Sequence, residues 1–383
     1  MSRFLIFYFV VYGGTHLYFF RKLRGAFLLR FRTSLLSGIF LGTVFLAPLL
    51  ARLLEKHGFE VTAVAASQIG YWWLGLLFLF VTAAAFLDLL QLFSRVIARL
   101  LKRSPLLSVT PLAAFLLPVC YALLIGIYGW NEANNIRTEH LTLTSGRISA
   151  AAGNTRIVLI SDVHIGQIMS ERRVRDVLAK VKAASPDLLL SAGDLVDGHQ
   201  RHFAGLDKLF REINPRLGKV AVPGNHEYYV GIKESLQFTQ SAGFRVLRDE
   251  NLAIGEVLTI IGIDDPRAKG AEKPDGAAEA TLLKAAPADR FRLLLKHRPV
   301  LEKTSSGQFD LQLSGHVHKG QIFPFNLLTW LNYPVRAGLT RLGQGSFLYV
   351  SRGTGEWGPP IRFLAPPEIT VIDLVPEQKS ILR

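Results

Sequence analysis

The chain has 383 residues, a formal charge of +14 and one cysteine, so a disulfide framework and a cysteine-rich metal site are excluded. Its mean hydropathy of +0.27 is high for a soluble protein, and the apolar excess falls before about residue 131. The basic excess falls there too: the first 137 residues hold 13 of the 44 Lys and Arg but 4 of the 30 Asp and Glu, which points to anionic headgroups beside membrane loops and not to nucleic acid.

Four apolar segments come first. They run Phe4–Phe20, Thr33–Leu54, Ile69–Phe93 and Leu106–Trp130. Each is long enough, at about 1.5 Å per residue, to approach the roughly 30 Å of a hydrocarbon core. Residues 1–130 are therefore expected to form an all-α region of four transmembrane helices. The third segment opens on Tyr71-Trp72-Trp73 and the fourth closes on Tyr128 and Trp130, aromatic residues of the interfacial kind. Arg21, Lys22, Arg24, Arg30 and Arg32 come after the first segment, and Arg95, Arg99, Lys102 and Arg103 after the third. The positive-inside rule places both clusters in the cytoplasm, and everything after Trp130 on the periplasmic or extracellular side of a cell (inner) membrane. His16, Asp88 and Gln91 fall inside these segments and are expected to hydrogen-bond between helices or reach for the interface.

Residues 131–154 read as a polar linker. From 155 to 383 short apolar runs alternate with helical patterns. Strands are expected at Arg156–Ser161, Asp187–Ala192, Gly218–Pro223, Val257–Ile263, Phe291–Lys296, Asp310–Ser314, Phe347–Ser351 and Glu368–Leu374. Helices are expected at Glu171–Ala184, Phe203–Ile213 and Lys233–Ala242. Alternating β and α elements define an α/β layered domain.

Chemistry-bearing residues stand just past these strands. Asp162 and His164 come after the first, Asp194 after the second, Asn225 and His226 after the third. His297 comes after Phe291–Lys296, and His316 and His318 after Asp310–Ser314. Ligands of α/β sheets bind at the carboxyl ends of strands, so these groups should converge. Gly193, Gly224 and Gly315 each precede one of them and permit tight turns. Two cations about 3.5–4 Å apart, bridged by Asp194, would neutralise a phosphodiester and activate a water. Mixed imidazole, carboxylate and amide donors suit Mn, Fe or Zn. One metal is assigned to Asp162, His164, Asp194 and His318, the other to Asp194, Asn225, His297 and His316. His226 is left free to protonate the leaving oxygen. Asp197 and Glu227 read as supporting residues and not ligands, and His57, His140, His199 and His202 as surface residues.

The order Asp-x-His, Gly-Asp-x-x-Asp, Gly-Asn-His-Glu, His, Gly-His-x-His resembles the calcineurin-like metallophosphoesterase superfamily over roughly 156–375. Gly315–Gln321, Tyr349–Gly353, Pro359–Arg362 and Pro367–Ile369 resemble its YkuE- and YaeI-like phosphodiesterase branch. With the apolar N-terminus, the whole chain resembles transmembrane proteins with a metallophosphoesterase domain. The resemblance implies a four-layer αββα sandwich, two divalent metal ions, and attack by a metal-bound hydroxide. It implies Asp162, His164, Asp194, Asn225, His297, His316 and His318 as metal ligands, and His226 as the catalytic histidine. It leaves the substrate open. Some relatives cleave a UDP-linked diacylglucosamine pyrophosphate, an alternative that requires the cytoplasmic face. With the domain outside, a lipid-linked phosphodiester or pyrophosphate fits better, and the apolar stretch Ile322–Leu331 after His318 is a candidate lipid contact. A nuclease or protein phosphatase is a further alternative on the same fold. The non-enzyme alternative is a membrane sensor or scaffold with a vestigial site, which predicts eroded ligand positions; none is eroded.

Overall fold

The computed structural model describes residue 6 and residues 8–149, 153–166, 168–198, 203–270 and 276–377. His199 and His202 lie outside the described residues, while His57 and His140 are exposed as expected. The chain divides into two units, Met1–Asn131 with Gly358–Ile361, and Glu132–Trp357 with Arg362–Arg383.

The first unit is helical. A π-helical turn at Tyr8–Tyr12 leads into α1 (Gly13–Phe27), and then come α2 (Phe31–Lys56), α3 (Glu60–Leu100) and α4 (Pro111–Asn134). Three helices among the described residues, α2, α3 and α4, are long and apolar enough to cross a membrane, where four were expected. The difference lies in the first segment. The 15 residues of α1 span about 22 Å at 1.5 Å each, and Arg21, Lys22 and Arg24 occupy its second half. The sequence also sets the third helix too short: α3 runs 41 residues and carries Arg95 and Arg99 itself. Only 22, 28 and 33 % of the apolar windows of α2, α3 and α4 are buried, so most of their apolar surface needs another cover. The polar groups inside are paired between helices. Trp73 Nε1 donates to His16 Nε2 at 2.8 Å, Tyr18 Oη donates to Asp88 at 2.6 Å, and Lys22 pairs with the same carboxylate. These pairings satisfy groups that would be costly in hydrocarbon.

The second unit is a two-sheet sandwich. Its strands are β1 (Arg137–Ser145), β2 (Thr155–Ile160), β3 (Ile165–Gly166), β4 (Leu188–Ser191), β5 (Val196–Asp197), β6 (Lys219–Ala221) and β7 (Arg245–Val246), then β8 (Glu250–Ile254), β9 (Leu258–Gly262), β10 (Phe291–Leu295), β11 (Leu311–Ser314), β12 (Gly338–Arg341), β13 (Phe347–Val350) and β14 (Glu368–Pro376). The first sheet is ordered β1-β14-β2-β4-β6-β7 and the second β12-β13-β11-β10-β9-β8. The inner strands are parallel. They are apolar on both faces because both faces are covered. Alternation sorts each strand between layers. Ile157 and Leu159 of β2 meet Leu293 and Leu295 of β10 in the core between the sheets. Val158 and Ile160 turn outward to α5 (Glu171–Ala183), α6 (Asp207–Arg211) and α8 (Ile232–Ser241). Ile261 and Leu294 turn the other way, to α9 (Gly276–Ala285). The result is the expected αββα layering. α7 (Asn225–Val230) and α10 (Phe325–Asn332) complete the helices, and both lie beside the site.

The stretch read as a linker contains β1, which pairs in parallel with β14 along nine residues. Its alternating, half-exposed pattern gives a weak signal locally. Only the distant partner strand reveals it.

Candidate metal centre

Five strands deliver the site. β2, β4 and β6 belong to one sheet, β10 and β11 to the other, and all end on the same side. The ladder continues past the strand ends. Asp162 N donates to Gly193 O and His164 N to Asp194 O, both at 3.0 Å, before the chain re-enters the small β3–β5 pair. The two carboxylate loops are thereby held in mutual register. Asp162, His164, Asp194, His316 and His318 all have φ between 45° and 72°, in the left-handed region. A side chain is strained there, least so for Asp, Asn and His, and five such residues at one site mark a functional constraint.

The expected residues converge in overlapping groups. Asp162, His164 and His318 place donor atoms within 4.8 Å of one another, and so do Asp194, His297 and His316. Each group holds three of the four residues assigned to one metal, and Asp194 falls in the second. His164 Nε2 lies 3.9 Å from Asp194 Oδ2, and His297 Nε2 lies 3.0 Å from the same oxygen. Ring nitrogens also face each other, His164 with His318 and His297 with His316, each at 3.1 Å. Asn225 Oδ1 is buried with no hydrogen-bond partner among the described residues. A buried acceptor left alone costs about 1–3 kcal/mol unless something meets it. Converging imidazoles, carboxylates and an orphaned amide oxygen are a donor set that fits two borderline divalent cations. His226 joins His164 and Asp194 in a third group of the same span, so distance alone also permits it as a donor.

Gly224 and Gly315 are required by close approach and not by a tight turn. A Cβ on Gly224 would stand 2.1 Å from Asp194 Oδ1, and one on Gly315 would stand 2.0 Å from Ser161 Oγ and 2.1 Å from Asp162 Oδ2. Gly193, with φ of 93°, is the one of the three that needs the left-handed region.

The supporting residues act as the sequence suggests, with more detail. Asp197 Oδ1 lies 2.9 Å from His226 Nδ1 and Asp197 Oδ2 lies 3.3 Å from His164 Nδ1, so one carboxylate orients two imidazoles. Glu227 accepts from the backbone N–H groups of Asp194, Leu195, Val196 and Gly224. It ties the Asp194 loop to the start of α7. His297 Nδ1 lies 2.8 Å from Ala192 O, which leaves Nε2 for the centre.

The protonation pattern arises from charge. Burial opposes ionisation of Asp194, but His297, His226 and His164 outweigh it and hold the carboxyl well below its usual range. Burial likewise disfavours the imidazolium of His297, yet Asp194 and Asp162 push it up to about 10. His226 rises to about 9 because Asp194 and Asp197 overcome its burial. Burial and the neighbouring His297 hold His316 well below its ordinary value. His318 is held down by burial, then by His164 and Arg362. The carboxylates thus attract positive charge into the centre.

Sequence reasoning missed Arg362. Its side chain is fully buried, with Nη1 donating at 2.8 Å to both Arg352 O and Ala365 O. Nη2 donates to Gly355 O and lies 3.1 Å from His318 Nδ1. An arginine in a Pro-rich loop, 44 residues from His318, carries no local signal of that contact. Tyr229, Trp357 and Tyr333 were also missed. Tyr229 and Trp357 stand 5.3 and 6.1 Å from the His226 ring, and Tyr333 stands 5.0 Å from the His316 ring.

A donor cluster of this composition at the mouth of a two-sheet α/β sandwich is the architecture of a metal-dependent hydrolase. A calcineurin-like phosphoesterase family model matches residues 155–320. A metallophosphoesterase of Aquifex aeolicus is 37% identical over 255 residues, which are 66% of this chain and 97% of that one. The metallophosphoesterase YkuE of Bacillus subtilis is 33% identical over 267 residues, 65% of this chain and 90% of that one. The transmembrane protein with metallophosphoesterase domain of Danio rerio is 28% identical over 262 residues, 65% of this chain but 60% of its own length. The chain belongs to the calcineurin-like phosphoesterase family, and membership implies a phosphoester hydrolase.

Proposed function

We propose that the protein is a membrane-anchored, metal-dependent phosphoesterase that cleaves a phosphodiester or pyrophosphate bond in a lipid-linked substrate. The observation that carries the reading is the convergence of Asp162, His164, Asp194, Asn225, His297, His316 and His318 at the ends of five strands. Two divalent cations there, with Mn, Fe or Zn suited to the donors, would neutralise the phosphoryl oxygens and lower the pKa of a water. Asn225 contributes a neutral oxygen and keeps the centre cationic. Asp197 engages His226 at Nδ1, so Nε2 is the nitrogen available to protonate the leaving oxygen. Tyr229 and Trp357, both more than half exposed, wall the approach to His226 and offer apolar contact to the departing group. Three apolar helices and a relative named as a transmembrane protein support the membrane anchor. The basic clusters at 21–32 and 95–103 flank α2 and α3, so they support placing the domain C-terminal to α4 outside the cytoplasm whether or not the first segment crosses.

The test is turnover of bis(4-nitrophenyl) phosphate by the metal-stripped full chain after adding Mn, Fe or Zn. Activity that Asp194→Asn abolishes, with circular dichroism unchanged, is the expected result. A wild-type chain inert with every metal would leave the sensor or scaffold reading in its place. Sidedness is tested by a periplasm-active reporter fused after Arg383. Silence there, with a cytoplasmic reporter active instead, removes the outer-face substrate and favours a nucleotide-linked lipid.

A further inference from the structure

Within the stretch Ile322–Leu331, Ile322 is buried and bridges Phe363, whereas the part from Phe325 onward belongs to α10, which is left uncovered among the described residues. No residue of α10 is buried. Leu327, Leu328, Trp330 and Leu331 are 59, 53, 57 and 71 % exposed. At spacings of three and four they make one continuous apolar patch. Phe323, two residues before the helix, is also 41 % exposed. Leaving four such side chains in water is unfavourable, and a patch of this kind marks a contact surface.

Both ends of α10 are fixed to the metal centre. Its first turn rests on Gly320, two residues past His318, where a Cβ would meet Asn326 N at 2.3 Å. Tyr333 comes just after its last turn, and that ring packs edge-on to His316. Any surface that receives the patch therefore also receives the mouth of the site.

We infer that α10 is a monotopic membrane element that seats the metal centre at the surface of an anionic bilayer. Three features of the chain select that occupant. First, α4 ends at Asn134 and β1 starts at Arg137, so two residues separate a helix long and apolar enough to cross a membrane from the first strand of the sandwich. Second, the exposed Trp330 is a residue type that settles at headgroup level. Third, Lys319, shortly before α10, and Arg336, shortly after it, are exposed and complement anionic headgroups. A short helix with an apolar face and a basic border lies in the interface and does not cross it. The inference rests on α2, α3 and α4 spanning a membrane. It deepens the proposed function, because a centre held there takes a phosphoester whose phosphorus already sits at headgroup depth.

The experiment uses the full chain in nanodiscs of equal parts phosphatidylcholine and phosphatidylglycerol. In a Cys120→Ser background, a nitroxide is attached at Leu331→Cys, and separately at Phe40→Cys on α2 as the membrane reference. Collision rates with oxygen and with a water-soluble nickel chelate are compared. The inference expects oxygen to exceed nickel several-fold at both positions. A label at 331 that meets nickel freely, with the label at 40 in lipid, overturns the inference and leaves the membrane reading standing. Both labels in water overturn the membrane reading itself. A label at 331 shielded from both reagents shows a protein cover and overturns the bilayer as occupant.

Discussion

Replacing Glu227 by Gln tests whether the centre is built from behind. The side chain is 2 % exposed, and its two oxygens accept from four backbone N–H groups: Oε2 from Asp194 at 3.1 Å and Gly224 at 2.8 Å, Oε1 from Leu195 at 2.7 Å and Val196 at 3.3 Å. Gln keeps one oxygen and turns an NH2 toward the other pair. Two buried donors then lose their acceptor, at about 1–3 kcal/mol each, for a loss of about 2–6 kcal/mol. That is a large share of the roughly 5–15 kcal/mol that holds a domain folded. The same N–H groups set the Asp194 loop and the start of α7, so metal affinity should fall about 10–100-fold. Thermal unfolding and metal titration on the full chain measure the two effects. A Glu227→Gln chain with the wild-type melting temperature and wild-type metal affinity would refute the reasoning, since the four contacts would then contribute nothing.

Asp197→Asn frees His226 and His164 from their shared partner; turnover should drop about 10–100-fold, more for an alkoxide leaving group than for nitrophenolate, and equal loss on both would remove His226 as the acid. Arg362→Met orphans the carbonyls of Arg352, Ala365 and Gly355 and should cost at least about 3 kcal/mol; a melting temperature unchanged from wild type would contradict this. His297 holds its proton up to about 10, and a metal needs the neutral ring, so binding at neutral pH must release a proton. Affinity should therefore rise about tenfold per pH unit below that value, and calorimetry in buffers of different ionisation enthalpy should show buffer-dependent heat; identical heats would contradict it.

The apolar runs Arg156–Ser161, Asp187–Ala192 and Phe291–Lys296 are readable because an inner parallel strand must be apolar on both faces. A residue after such a run lands at the strand end, so Asp162, Asp194 and His297 could be placed without coordinates. Asp197 and Glu227 were legible as supporting residues, but not which atoms they hold. Residues 137–145 looked like linker because β1 is defined by pairing with β14, more than two hundred residues later. The first apolar segment is a further case: among the described residues three helices, not four, are long and apolar enough to cross a membrane. Phe4–Phe20 has the composition of a crossing helix, but composition does not fix where a regular helix begins.

The sequence by itself determined the α/β class of the second half, the chemistry of the donors and the apolar character of the N-terminal helices, since these depend on periodicity and residue type, whereas the four-layer αββα order was implied only by the family resemblance. Tertiary structure alone decided that Arg362 reaches His318, that Asp197 bridges two imidazoles, and that α10 stays uncovered. Each depends on distant segments meeting or failing to meet, and no local pattern encodes a contact whose partner lies elsewhere in the chain.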